Sequence, residues 1–204
     1  MLSMMSTNNS NQRTGIYMYA IVPPEPLFSE LEEIKDYVAK KYSTTEAVRR
    51  PAHITLIPPF NALQSLEPQF ATFIDSFTSA YVPFDVFIDG YGTFYSNVLY
   101  FQPAESPELM KLQKDLAKKF TAVHSRGKER GASSGFHPHI TLAYKDISRP
   151  NFAKAVEEFA EKIFRRRFTL EYLCLMKYDR GWKTIHKGLL NTSPTAKEEP
   201  LSLF

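Results

Sequence analysis

Ile16 to Val22 reads IYMYAIV, a run of β-branched and aromatic residues that predicts a largely buried strand, ended by Pro23, Pro24 and Pro26. Leu27, Leu31, Ile34 and Val38 follow at spacings of four and three, the stripe of an amphipathic helix. PAHITLIPP then predicts a short strand closed by Pro58 and Pro59. Leu66, Phe70, Phe73 and Phe77 mark a second helix. Phe84 to Ile88 and Val98 to Phe101 read as two strands, with the chain turning over residues 90–97.

The third helix carries the fullest signals. Ser106 is its expected N-cap, Pro107 its first residue and Glu108 its first-turn acid, and Leu109, Leu112, Leu116, Phe120 and Val123 line one face. A basic loop, HSRGKERGASSG, leads to the strand PHITLAY. Phe152, Val156, Phe159 and Ile163 predict a fourth helix, with Arg165-Arg166-Arg167 read as a basic helix end. Phe168–Tyr178 and Trp182–Leu190 read as a closing hairpin. Residues 1–14 are expected to be a disordered tail, 15–190 a single domain and 191–204 a C-terminal tail.

Laid out this way, the chain repeats. HITL stands at His53–Leu56 and again at His139–Leu142, an offset of 86 positions. The same offset carries Leu66 onto Phe152, Phe84 onto Leu170 and Val98 onto Thr184. Each half reads helix, HITL strand, helix, hairpin, which predicts two similar lobes from two tandem units.

Composition narrows the function. The 204 residues are 43% hydrophobic, which is globular, and the formal charge of +3 is too small to imply duplex binding by electrostatics alone. The single cysteine, Cys174, excludes an intramolecular disulfide and fits a reducing compartment. No apolar run approaches the ~20 residues that span a bilayer, and the start MLSMMSTNNSNQRTG lacks a secretory pattern. A cytoplasmic monomer with no membrane contact is expected. Cys174 is expected to be a buried inert thiol, and Trp182 to pack the hairpin.

In a strand, residues two apart share a face. His53 and Thr55 therefore project together, as do His139 and Thr141, while Ile54, Leu56, Ile140 and Leu142 turn inward. Two lobes about a pseudo-twofold axis would bring both pairs into one cleft. Unperturbed imidazole titrates near neutrality, at about 6.5, so one neutral and one protonated His supply a base and an acid. Two hydroxyls can donate to non-bridging phosphate oxygens. That set suits in-line attack on a phosphodiester.

The paired motifs His53-Ile54-Thr55-Leu56 and His139-Ile140-Thr141-Leu142 resemble the 2H phosphoesterase superfamily, and within it the 2′-5′ RNA ligase-like and 2′,3′-cyclic phosphodiesterase group. Pro51-Ala52 before the first motif and Phe136-His137-Pro138 before the second are similar too, and the resemblance covers roughly residues 15–190. It implies an α+β bilobal fold, with an antiparallel sheet and flanking helices in each lobe and the active cleft between them. It implies catalysis by His53 and His139, phosphate binding by Thr55 and Thr141, and no metal or cofactor. The implied substrates are RNA ends or nucleotide 2′,3′-cyclic phosphates, opened to a 2′-phosphate, with 2′-5′ ligation as the reverse. A non-catalytic RNA-end module stays open, as does a phosphodiesterase for 2′-5′ oligoadenylate or ADP-ribose cyclic phosphate.

Further candidates for substrate contact are Tyr17 and Tyr19, which share a face and can stack a base, and Arg126, Lys128 and Arg130 in the loop before the second motif. Lys145 and Lys177 read as ordinary surface residues. His137 and His139, with His53, form the one metal alternative, but no carboxylate or cysteine stands at a supporting spacing. His124 and His186 carry no pattern.

Overall fold

The computed structural model describes residues 13–95, 97–124 and 135–192. The basic loop with Arg126, Lys128 and Arg130, and most of both tails, lie outside the described residues. The chain runs β1 (Thr14–Ile21), α1 (Leu27–Tyr42), β2 (Ile54–Leu63), α2 (Glu67–Thr78), β3 (Phe84–Phe94), β4 (Val98–Pro103), α3 (Pro107–His124), β5 (Ile140–Tyr144), α4 (Arg149–Ala160), β6 (Arg165–Leu170), β7 (Tyr172–Tyr178) and β8 (Trp182–Leu189). Two four-stranded sheets result, ordered β2-β1-β7-β8 and β5-β4-β3-β6. Each neighbouring pair is antiparallel. The fold is α+β and bilobal, as expected.

The helix signals mostly hold. Ser106 Oγ accepts from Leu109 N at 3.2 Å, and Ser148 Oγ caps α4 by accepting from Asn151 N at 3.3 Å. However, α4 stops at Ala160, and Ile163 is 87% exposed rather than on its apolar face. The three arginines after it belong to a strand, not a helix end. Arg165 and Arg167 pair with Asp89 and Asp85 of the neighbouring β3, and Arg166 with Glu30.

The strand boundaries depart from expectation for identifiable reasons. Pro58 and Pro59 do not close β2. The register passes from Tyr17↔Phe60 to Tyr19↔Ile57, so the two prolines bulge out opposite Met18 on an edge strand, where their missing N–H groups break no ladder. Gly90 is likewise a bulge and not a turn, because β3 runs on to Phe94. Its φ is +78°, and its N–H donates to Phe164 O at 2.7 Å. The run Phe168–Tyr178 is two strands. It breaks at Glu171, where the chain leaves the second sheet and enters the first.

That crossing corrects the expected layout of the repeat. The β3–β4 hairpin of the first half belongs to the second sheet, and β7–β8 of the second half completes the first. Both sheets have the same plan: the motif strand lies at one edge, and the strand beside it precedes it by one helix. The helices cross as well. α2 and α3 cover the first sheet, while α1 and α4 cover the second. One buried cluster therefore runs from Tyr19, Leu31 and Ile54 to Phe101, Leu142 and Phe159. A smaller one, Met18, Ala20, Cys174 and Met176, lies on the other face of the first sheet, packed by Trp182. No helix among the described residues is long and apolar enough to cross a membrane.

A core shared this way should unfold as one unit. Phe101, fully buried in the second sheet, should cost about 3–5 kcal/mol when replaced by Ala. The denaturation midpoint read by Trp182 fluorescence in the first sheet should fall in step with the far-UV signal. Two separated transitions would show that the sheets fold independently.

Candidate active site

The alternation along each motif strand decides the site. Ile54, Leu56, Ile140 and Leu142 are in the core. His53 and Thr55 turn the other way, as do His139 and Thr141, and all four line one cleft of about 380 Å³. Neither Thr hydroxyl is spent on a partner among the described residues, which leaves both able to donate to a ligand. An open depression beside α2, lined by Glu67, Pro68 and His186 among others, holds none of the motif residues.

Backbone geometry fixes the tautomer of both imidazoles. His53 Nδ1 lies 2.6 Å from Pro51 O, and His139 Nδ1 lies 2.9 Å from His137 O. A carbonyl only accepts, so each Nδ1 carries the hydrogen. Each Nε2 is left as the atom that takes or gives a proton. The same hydrogen bond to the carbonyl two residues back occurs in both lobes.

The supports behind the two histidines differ. On the first side, α1 carries Lys35, which is 1% exposed and whose Nζ donates to Glu32 Oε1 at 2.6 Å and to Arg50 O. Glu32 Oε1 also accepts from Ala52 N at 2.7 Å. The buried Lys35 and the half-buried Glu32 grip the backbone on both sides of Pro51, whose carbonyl orients His53. On the second side, His137 Nδ1 meets Glu105 at 2.9 Å and its Nε2 meets Tyr100 Oη at 3.1 Å. Tyr100 lies over Gly92, where a Cβ would fall 2.5 Å from its ring, and stacks on Phe94 at 4.3 Å. Phe94 and Tyr100 present their rings to His139 at 5.1 and 5.7 Å. Asp146, after β5, accepts from Thr45 N at 2.7 Å and Glu46 N at 3.2 Å, so the loop leading to His53 is tied to the opposite sheet.

Burial holds both imidazoles below their ordinary value. His53 is pushed down to about 4 by burial, against the raising effect of Pro51 O, with Lys35, Arg50 and His139 adding to the fall. His139 is lowered by burial and by His137. In the free protein His53 is held neutral the more firmly.

Several expected contacts lie elsewhere. Tyr17 and Tyr19 are 0% exposed and cannot stack a base. Ala20 is the residue opposite Thr55, so alternation sends Tyr17 and Tyr19 to the core face. Tyr17 Oη donates to Glu67 at 2.7 Å, and Tyr19 Oη to Phe70 O at 3.0 Å. Lys177 pairs with Glu67, and His186 with Asp75, both away from the cleft. Among the described residues no cluster of three metal-ligating side chains exists, and His137 is engaged by Glu105 and Tyr100.

The sequence reading missed Lys35, Arg50, Phe94, Tyr95 and Tyr144, which also line the cleft. Lys35 had a signal: it stands four residues after Leu31 and three before Val38, a cation on the apolar stripe of its helix. Phe94 and Tyr95 were hidden inside a segment read as a turn.

The family model of the 2′-5′ RNA ligase superfamily matches residues 23–182. Among solved structures, TT0787 of Thermus thermophilus superposes with a TM-score of 0.63 at 18% identity, covering 86% of this chain and 98% of its own. E. coli LigT complexed with 3′-AMP gives 0.60 at 18%, covering 87% and 99%. A further phosphoesterase gives 0.55 at 18%, covering 87% and 99%. At these identities the likeness is one of fold. No curated protein matches the sequence.

The electrostatics set a sign. The unfolded chain takes up a proton on His53 near its ordinary value of 6.5, whereas the folded chain resists it down to about 4. This residue's contribution to stability is present above that window and is lost as pH falls through it. Lys35→Met should raise the His53 midpoint in an NMR titration of the ring protons, and should reduce the loss of stability at acid pH. An unmoved midpoint would assign the whole depression to burial and to the other charges.

Proposed function

The chain belongs to the 2′-5′ RNA ligase superfamily, and from that premise we propose that it is a metal-independent phosphoesterase acting on RNA or nucleotide 2′,3′-cyclic phosphates. The observation that carries this reading is the mirrored pair of imidazoles. Each is tethered through Nδ1 to a backbone carbonyl, and each stands beside a Thr hydroxyl in one cleft. A binding module has no need of two acid–base groups with a fixed tautomer.

Geometry and electrostatics support one division of roles in this reading. His53, held neutral beside the Lys35 and Arg50 charges, is the base. Its Nε2 takes a proton from water as the water oxygen bonds to phosphorus. The bond from phosphorus to one bridging ribose oxygen breaks in line, and His139 Nε2–H protonates that oxygen. The superfamily resemblance favours breakage at the 3′ oxygen, which leaves a 2′-phosphate and a free 3′-hydroxyl. Thr55 and Thr141 donate to the non-bridging oxygens as charge redistributes. With a 5′-hydroxyl in place of water the same groups promote ligation: His53 takes the hydroxyl proton as its oxygen bonds to phosphorus, the bond to the 3′ oxygen breaks, His139 protonates that oxygen, and a 2′-5′ link results. E. coli LigT has been crystallised with 3′-AMP and with phosphate, in keeping with a phosphate-bearing nucleotide as ligand here. A single cysteine, buried and free, is in keeping with the reducing compartment we propose, the cytoplasm.

Turnover of the four nucleoside 2′,3′-cyclic monophosphates with EDTA present tests the reading. His53→Ala and His139→Ala should each lower kcat by roughly 10²–10⁴-fold. Thr55→Val and Thr141→Val should each cost about tenfold or more, chiefly in kcat. No turnover by folded wild type, or turnover abolished by EDTA, would overturn it.

The pH profile follows from the two imidazoles. In the free enzyme His53 must be neutral and His139 protonated, so kcat/KM should be bell-shaped. Its optimum should lie between about 4, the value to which His53 is pushed, and the ordinary 6.5, below which His139 lies. A flat profile from about pH 5 to 8 would remove acid–base catalysis by this pair.

A further inference from the structure

Among the described residues Tyr95 is 97% exposed, whereas the other exposed aromatic rings, Tyr37, Phe87 and Tyr178, stand at 41–48%. It caps the hairpin between β3 and β4 with φ 52, in the left-handed region that a residue with a bulky side chain rarely adopts. This tip lines the cleft that holds both motifs. The residue before it, Phe94, presents its ring to His139 at 5.1 Å. The hairpin thus sets one ring against an imidazole and holds the next in water at the cleft. From the His53 side, the Arg50 guanidinium lies over the Tyr144 ring at 5.5 Å, and both line the same cleft. Packing does not account for Tyr95, because the fold buries almost none of it. A flat ligand group beside the phosphate does.

We propose that Tyr95 is the stacking platform for the nucleobase of the substrate, so that this cleft takes phosphoesters carrying a base and tolerates all bases. Tolerance follows because every base offers a π-face, and stacking reads no hydrogen-bond pattern. The proposal deepens the phosphoesterase reading and rests on it. It makes Tyr95 a specificity residue outside the proton-transfer machinery.

Equilibrium binding to the full chain tests it without turnover. The probes are adenosine 2′-monophosphate, cytidine 2′-monophosphate and a base-free methyl riboside 2-phosphate, titrated by calorimetry. Wild type should bind both nucleotides about tenfold or more tighter than the base-free ester. Tyr95→Ala should erase that preference and leave affinity for the base-free ester unchanged, while Tyr95→Phe keeps the preference. A preference that survives Tyr95→Ala, or is absent from wild type, overturns the proposal. So does a fall for all three probes alike, which would mean that the hairpin and not the ring was needed. Absence of turnover in the cyclic phosphate assay, with the nucleotide preference intact and dependent on Tyr95, would instead overturn only the phosphoesterase reading.

Discussion

Ile54 and Leu56 in one sheet, and Ile140 and Leu142 in the other, are removed from water. Successive side chains of a strand point to opposite faces, so burying these four leaves His53, Thr55, His139 and Thr141 facing the cleft. A slip of one residue in either edge strand would put the aliphatics in the cleft and the polar pair in the core. Each aliphatic contributes roughly 1.5–3 kcal/mol by its burial, and an imidazole buried without a partner costs free energy. Both effects select the same register. The chemistry of the cleft is in this sense fixed by the hydrophobic effect acting one residue away from it.

Onto this symmetric frame the sequence places unequal supports. A buried ammonium, Lys35, and the half-buried carboxylate of Glu32 grip the backbone that orients His53, while an exposed His–Glu pair and a tyrosine stand behind His139. A buried Lys is costly unless paired, and here its hydrogen bonds go to Glu32 and to the Arg50 carbonyl. The desolvated charge sits beside one imidazole and not the other. Two residues of the same type, in the same tautomer, thereby meet unequal opposition to a proton, the difference on which the proposed division into base and acid rests.

Much of this was legible in the sequence because it rests on periodicity. The tetrapeptide repeat located both motif strands, the spacing of two put each His and Thr on one face, and the cap signals at Ser106 placed α3. What failed depends on partners distant in the chain. Nothing in an apolar run shows that it changes sheets at Glu171, because the break is set by pairing with β3 before it and with β1 after it, both distant in the chain. Pro58 and Pro59 stop a central strand but are accommodated by a bulge at an edge, and edge position is a property of the sheet. Tyr17 and Tyr19 were correctly placed on a common face, but only the pairing Ala20↔Thr55 tells which face that is. Arg50 reaches the cleft from a loop with no periodicity of its own.

The lowered proton affinities bear on when the site becomes active. Burial disfavours charge on both imidazoles, and the charge of His139 adds to the lowering of His53. An anionic phosphoryl group between them reverses the second effect and offsets part of the first, because its charge stabilises an imidazolium directly. The gain falls where desolvation is less severe, which is His139, since His53 carries the additional opposition of Lys35 and Arg50. On the proposed mechanism, substrate binding would therefore favour uptake of a proton from solvent by His139 while leaving His53 neutral. Desolvation of the imidazoles makes such a field count for more, since the same charge in bulk solvent would be screened to about 1 kcal/mol at contact distance. The apolar register and the unequal imidazoles are thus two parts of one arrangement, which in the proposed reaction the substrate's own charge would complete.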